Sequence, residues 1–174
     1  MTQPEFSRLE RRDTIGTTEH SVSITATEAE RAALAQRFGL RAVDRLEATL
    51  RIRTEGGGIV ARGTVSAKVV QSCSVTDEPL PVTVTEDIAV RFIEEQAVDG
   101  EEIELSEDAL DTMFYSGGAV DLGEAAAETV MLALDPFPRG PNAARALKAA
   151  GVIGEDEVQP VKALAGLKDL LSKT

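Results

Sequence analysis

The chain has 174 residues, and its content of 43% hydrophobic, 28% charged and only 3% aromatic residues indicates one globular domain with an aliphatic core. The formal net charge is −12, and residues 92–138 supply the whole excess, because they include 13 acidic residues and no basic one. Such a segment repels phosphates, which argues against DNA binding. A single cysteine excludes an internal disulfide. The polar start and the short apolar runs argue against a signal peptide and a membrane partner, so we expect a cytoplasmic protein.

The first forty residues are predicted to hold two short strands and a helix. Residues 6–12 and 21–25 favour strands. Thr27 is followed three residues later by Glu30, which is typical of a capping box, and Gly39 is a suitable helix stop. The helix is therefore predicted to begin after Thr27 and to end near Phe38.

Three long strands are predicted in the middle of the chain. Apolar and polar residues alternate over 46–53 and again over 59–69, with three glycines at 56–58 between them, and a third strand is expected over 82–92. Sequential strands with short turns form an antiparallel meander, and long antiparallel strands coil. We therefore predict an α+β fold, in which two or more helices cover a curved, partly closed and barrel-like meander. The predicted core of the sheet comprises Val65, Val69, Val84, Ile88 and Val90.

The acidic excess is concentrated in the connection that follows the third strand. Residues 106–114 are predicted as a short helix within this connection. The candidate acidic surface consists of Glu101, Glu102, Glu104, Glu107, Asp108 and Asp111. This surface is either a solvated loop or a docking surface for a basic protein. It lacks the glycine and the ligand spacing of a calcium loop, so no metal is expected.

A second capped helix is predicted to begin at Asp121, with Glu124 three residues later. Residues 122, 126, 129, 130 and 133 fall on one apolar face of it. Pro136 and Pro138 cannot continue a helix, so it should stop near Leu134. The exit is then either a rigid stop or a docking surface.

Three segments resemble the bacterial YceD family, in the form of its alphaproteobacterial-type members. They are residues 118–124 (GAVDLGE), 134–139 (LDPFPR) and 71–79 (QSCSVTDEP), and the resemblance covers roughly residues 5–141, with an echo in 161–171. The resemblance implies a role in the accumulation of large-subunit ribosomal RNA. Many members carry a C-x-x-C pair at Cys73, but Thr76 stands at the second position here, so a zinc site is not implied.

The resemblance suggests a division at residue 141. Residues 1–141 form the YceD-like domain, and 142–174 form a helical extension with a helix over 142–150 and an amphipathic segment over 160–171. The candidate interaction residues come from the helix and its exit. They are Asp121, Gly123, Glu124, Glu128, Asp135, Pro136, Pro138 and Arg139.

The preferred hypothesis is a non-enzymatic ribosome biogenesis factor without a cofactor. His20 and Cys73 are the only histidine and cysteine, and neither has the neighbours of a catalytic group. We expect the partner to be a basic ribosomal or assembly protein, with ribosomal RNA contacted indirectly. The alternative is direct RNA binding or RNA processing. The residues for RNA contact would be Arg51, Arg53, Arg62 and Lys68, with no aromatic residue interleaved among them.

Overall fold

The computed structural model describes residues 4–95 and 110–152, and within them the fold is α+β. The strands are β1 (Leu9–Arg11), β2 (His20–Thr25), β3 (Ala42–Glu55), β4 (Gly58–Ser72), β5 (Pro79–Glu94), β6 (Asp111–Tyr115) and β7 (Ala119–Asp121). The helices are α1 (Glu28–Phe38), α2 (Leu122–Ala133) and α3 (Ala143–Ala149). None of the described helices is long and apolar enough to cross a bilayer.

The predicted meander is confirmed as the centre of a larger sheet. Strands β3, β4 and β5 pair antiparallel, and β2 pairs antiparallel with β3. In one cross-strand row Leu50 lies opposite Gly63, which lies opposite Ile88. A Cβ at Gly63 would collide with the carbonyl oxygen of Thr49, so the close approach of β3 requires glycine. The five predicted core residues of β4 and β5 are all buried.

The far edge of the sheet differs from the prediction. Strand β6 pairs with β5 in parallel, so the sheet is mixed rather than a pure antiparallel meander. Its order is β2-β3-β4-β5-β6, and within the described residues β2 and β6 remain separate edges, so no barrel closes. The helix expected over 106–114 is wrong for residues 111–114, which are strand, and residues 106–109 lie outside the described part of the chain. Thr112 to Tyr115 are β-branched, aromatic or flexible apolar residues, and Met113 packs against the core beside Phe92.

Helices α1 and α2 both pack on the same side of the sheet. The predicted cap of α1 is confirmed: the Thr27 side chain accepts from the Glu30 backbone N–H, and the Glu30 carboxylate accepts from the Thr27 backbone N–H. Gly39 ends α1 with φ of 64°, a left-handed conformation that suits glycine. The buried side of α2 is formed by Leu122, Gly123, Ala125, Ala126, Ala127 and Val130. Ala133 was expected among them but is exposed, because the helix ends there and Leu134 turns into the core.

A second, two-stranded sheet joins the start of the chain to the start of α2. Strand β1 pairs antiparallel with β7, so that Leu9 lies opposite Asp121. The short strand at residues 6–12 was expected, whereas β7 had no strand signal beyond Val120 in a glycine-rich stretch. This small sheet fixes the N-terminal end of α2 on the domain.

Candidate interaction surface at the two ends of helix α2

At its N-terminal end, α2 is fixed by the carboxylate of Asp121. Oδ1 accepts from the backbone N–H groups of Arg8 at 2.7 Å, Gly123 at 3.0 Å and Glu124 at 3.2 Å. Oδ2 accepts from the Ser7 hydroxyl at 2.6 Å. The predicted cap is therefore present, and the same carboxylate also holds the N-terminal segment.

Gly123 allows that N-terminal segment to run directly over the helix. A Cβ at this position would collide with the Phe6 carbonyl oxygen and would lie 3.0 Å from the Arg8 nitrogen. Phe6 itself is fully buried beneath this crossing. The glycine of the family-like motif is thus explained by close backbone approach.

Two arginines surround the same crossing. Arg37 of α1 donates to Glu124 at 2.6 Å and 2.8 Å and to Glu5 at 3.0 Å. Arg8 makes a two-bond pair with Glu30, and this hydrogen bonding lowers the pKa of the Glu30 carboxyl to about 2. The Glu124 carboxylate does not return to the Asp121 backbone, as a full capping box would require, because Arg37 engages it instead. We call this set of contacts around Asp121 the N-terminal clamp.

At the other end, the residues that follow α2 pack against the turn between β4 and β5. The Gln71 side-chain amide donates to the Asp135 carbonyl at 2.9 Å. The backbone N–H of Ser74 donates to the Pro138 carbonyl at 2.8 Å, and the Ser74 hydroxyl donates to the same oxygen at 3.0 Å. The structure therefore brings two separate family-like segments, 71–79 and 134–139, into direct contact.

Cys73 lies at the centre of this junction and is only 3% exposed. Its Sγ accepts from the backbone N–H of Gly140 at 3.3 Å and from that of Thr76 at 3.4 Å. These donors, Gly140 first, lower the pKa of the thiol to about 7. No cluster of three or more metal-binding side chains occurs among the described residues, so Cys73 has no ligand partners there. The arrangement stabilises the turn between β4 and β5.

The start of α3 is joined to the same junction. The Asn142 side chain donates to the Glu78 carboxylate at 2.8 Å, and Ala143 is buried. The division at residue 141 stays a prediction, and it falls inside this set of close contacts.

The exit of α2 carries two large apolar side chains that are mostly exposed. Leu132 is 83% exposed and Phe137 is 72% exposed, whereas Leu134 between them is buried. Pro136 and Arg139 are exposed, and Pro138 is half-buried. The Asp135 carboxylate accepts from the Phe137 backbone N–H at 2.8 Å, which orders the turn. We call residues 132–139 the exit segment.

The remaining candidates are distributed unevenly. Glu128 is half-buried on α2, and desolvation, with the nearby Glu124 charge, raises the pKa of its carboxyl. Asp111 is exposed at the start of β6. The other predicted acidic residues, Glu101, Glu102, Glu104, Glu107 and Asp108, lie outside the described residues. Leu132 and Phe137 were not predicted, although an apolar residue between two prolines is a signal that could have singled out Phe137.

The comparisons with known proteins agree with the positions of these segments. The sequence profile of the family described as large ribosomal RNA subunit accumulation protein YceD matches residues 61–171. The match includes the Cys73 turn, α2 and the exit segment, and it continues past residue 141. Neither the search of curated proteins nor the search of solved structures returned a match. The profile does not distinguish alphaproteobacterial-type members, so that detail stays a prediction. Since the matched region spans more than half of the sequence, the chain belongs to the YceD family.

Proposed function

We propose that this protein supports large-subunit ribosomal RNA accumulation as a non-enzymatic, cytoplasmic assembly factor that binds a basic ribosomal or assembly protein. The exit segment is the contact. The observation that carries the proposal is the combination of a hydrogen-bonded backbone with exposed apolar side chains in the exit segment, at the place where the two family-like segments meet.

The backbone of the exit segment is well suited to recognition. Gln71 and Ser74 hold its carbonyl groups, and two prolines restrict its dihedral angles. A segment ordered before binding loses little conformational entropy when a partner docks. Aromatic residues and arginine are both enriched in protein interfaces, and the exit segment exposes Phe137 and Arg139.

The charge of the surrounding sequence favours a basic partner. Residues 92–138 contain 13 acidic residues and no basic one. A negative field of this extent accelerates encounter with a basic protein and slows encounter with bare RNA. Ribosomal and assembly proteins with exposed lysines and arginines have the required charge.

The separation of the candidate catalytic groups supports a non-enzymatic role. His20 lies at the start of β2, opposite Ile52 near the β3–β4 turn. Cys73 follows Ser72 at the other end of β4. The two groups therefore lie toward opposite ends of the sheet, too far apart to share a proton.

The test compares two exposed side chains of the exit segment with one exposed side chain elsewhere. Phe137→Ala and Arg139→Ala should each abolish or strongly reduce co-purification of ribosomal proteins from cells in mild salt, with unchanged melting temperatures. Leu9→Ala is the matched control, because Leu9 is 63% exposed on β1, away from the exit segment. Normal recovery with both exit variants would refute the contact.

A second variant tests separately whether the acidic residues attract the partner electrostatically. Charge reversal at Glu101, Glu102, Glu104 and Asp108 should slow association with the partner recovered above and flatten its salt dependence. An unchanged association rate would show that the acidic residues do not steer the partner.

A further inference from the structure

The side of the five-stranded sheet opposite α1 and α2 carries no described helix or strand, and its central side chains are mostly exposed. We call this side the open face. Its exposed or half-buried outward residues on β2 to β6 include Ser21, Ser23, Thr25, Arg45, Glu47, Thr49, Arg51, Arg53, Glu55, Arg62, Thr64, Ser66, Lys68, Thr83, Thr85, Asp87, Arg91, Thr112 and Phe114. This composition differs from the acidic half of the sequence, because the basic residues on this face outnumber the carboxylates.

Four arginines lie together at the end of the open face near the β3–β4 turn. Arg51 is directly opposite Arg62, and Arg53 and Arg91 lie on either side of Val60. Val60 points outward with them but is only 2% exposed, which is consistent with cover by the stems of its two arginine neighbours. Arg53 and Arg91 therefore flank a buried apolar side chain, with Arg51 and Arg62 in the next row.

The carboxylates nearby compensate only part of this charge. Glu55 pairs with Arg53 at 2.8 Å, and Glu19 lies 3.7 Å from Arg51. Among the described residues, Arg62 and Arg91 have no ion-pair partner. The pKa of the Glu55 carboxyl is lowered, first by its hydrogen bond from Arg53 and also by the charges of Arg62 and Arg91. One carboxylate thus interacts with three guanidinium groups.

The Arg51–Arg62 pair is unfavourable for the folded protein alone. Like charges directly opposite each other on neighbouring strands destabilise a sheet. A polyanion that bridges the two guanidinium groups would convert this repulsion into attraction, and the planar fork of arginine matches phosphate geometry.

Beside the arginines, the open face displays hydroxyl groups in adjacent rows. Ser23, Thr49 and Thr64 are consecutive neighbours across three strands, and Thr64 is opposite Asp87. Thr25 and Ser66 continue the pattern one row away, with Glu47 between them. Hydroxyl groups both donate and accept, so they can bind sugar hydroxyls as well as phosphate oxygens.

The open face also contains an aromatic ring that sequence reasoning assigned to a helix. Phe114 lies opposite Ile93 and two residues along β6 from Thr112, which is opposite Arg91. The ring is 58% exposed. An exposed ring on a sheet beside arginines is a platform on which an unpaired base can stack.

We propose that the open face binds single-stranded RNA, with Arg51, Arg62 and Arg91 on the sugar–phosphate backbone and Phe114 against a base. The choice of RNA over an acidic protein rests on the stacking ring, the hydroxyl rows and the ribosomal-RNA role of the family. It does not rest on the protein contact at the exit segment. The net charge of −12 opposes the approach of RNA at long range, so binding depends on the local arginine–phosphate contacts. Each of these contacts releases counterions, so affinity falls as the salt concentration rises.

The test uses the full chain and a labelled single-stranded RNA of about 20 nucleotides of mixed sequence, long enough to cover a groove of several nucleotides. Saturable binding at low salt is expected. The double variant Arg62→Ser, Arg91→Ser should weaken it at least tenfold and reduce the salt slope by about 1.4, since each phosphate contact on a single strand contributes about 0.7. Arg11→Ser, Arg145→Ser is the matched control, with the same loss of charge at exposed positions off the open face.

The Phe114→Ser variant distinguishes the binding of RNA from the binding of other polyanions. Loss of stacking should weaken RNA binding about fivefold or more, because stacking on an aromatic ring contributes about 1–3 kcal/mol per base. Binding of heparin, which has no bases, should not change. If the arginine variant loses heparin and RNA alike while Phe114→Ser changes neither, the face binds acidic polymers generally and the RNA proposal is wrong.

Two other outcomes would also overturn the proposal. These are the absence of saturable RNA binding at low salt, and an equal loss of binding in the control double variant. Phe137→Ala and Arg139→Ala should bind RNA normally, so failure of the exit-segment contact and failure of the RNA contact can be distinguished.

Discussion

The two ends of α2 belong to one short stretch of sequence but meet very different surroundings. At the N-terminal end, Asp121, Gly123 and Glu124 all contact other parts of the domain. At the C-terminal end, Leu132 and Phe137 extend into solvent from a backbone that Gln71 and Ser74 hold in place. The residues at the N-terminal end stabilise the fold, whereas Leu132 and Phe137 at the C-terminal end are mostly exposed.

This difference shows that the residues of one family-like motif cannot all be assigned the same functional role. The candidate interaction residues were drawn from both ends. Those of the N-terminal clamp have complete internal roles, which explain their residue types without any partner. In the exit segment, the carbonyl groups of Asp135 and Pro138 have internal partners, whereas the Arg139 side chain has none among the described residues. A partner contact is therefore expected at this end.

The largest contrast is expected between the two phenylalanines at these ends. Phe6→Ala should reduce the free energy of unfolding by about 3–5 kcal/mol, because Phe6 is fully buried under the N-terminal clamp. Phe137→Ala should change it by no more than about 0.5 kcal/mol, since that ring is largely in solvent. Urea unfolding measures both. Equal losses would mean that the exit segment is as structural as the clamp.

The two aspartates give a smaller contrast. Asp121→Ala removes a carboxylate that accepts four hydrogen bonds, and we expect a loss of about 1–3 kcal/mol. Asp135→Ala removes one bond, to the exposed Phe137 N–H, and should cost less than about 1 kcal/mol. Asp121→Asn controls for size, since its amide retains one acceptor oxygen. A larger loss for Asp135→Ala than for Asp121→Ala would reverse the comparison.

Acid should weaken the clamp selectively. The Arg8 pair lowers the pKa of Glu30 from 4.5 to about 2, so its stabilisation is complete above the unfolded value and is lost as pH falls through the folded one. The stability difference between wild type and Glu30→Gln should therefore shrink between about pH 5 and about pH 2. The effect is modest because the pair is partly exposed. A pH-independent difference would show that the Arg8 pair does not shift Glu30.

Metal removal should have no effect at all. Cys73 has no partner ligands among the described residues, and backbone N–H groups already surround its sulfur. The melting temperature with and without a chelator should agree, and elemental analysis should find no stoichiometric zinc. One zinc per chain would require ligands from elsewhere and would make the Cys73 turn a metal site.

Sequence periodicity was sufficient for the elements whose signals are local. The β3–β4 hairpin shows strict alternation, and α1 has both a capping box and a stopping glycine. Strand β6 was missed because its five residues are too few for a period, and because its pairing is with the distant edge of β5. Parallel pairing depends on tertiary structure, so neither a turn signal nor a local cap in the sequence predicts it.

The site was predictable in part for the same reason. The Asp121 cap and the prolines of the exit are local signals, and the sequence pointed to both. The contact between Ser74 and Pro138 joins residues 64 positions apart, and nothing in either segment indicates the other. The sequence favours a helix over 106–114, and a helix would not place Phe114 on the open face near Arg91.

The N-terminal clamp also dictates the order in which the chain can fold. Ser7 and Asp121 are 114 positions apart, so the segment around Ser7 can make its final contacts only after residue 121 has been synthesised. Until then Phe6 has no site in which to be buried, and the early part of the meander has an uncovered apolar side. Closing so long a loop is slow and occurs only when α2 arrives. A chain that ends before residue 121 lacks the α2 side chains and therefore cannot complete this core.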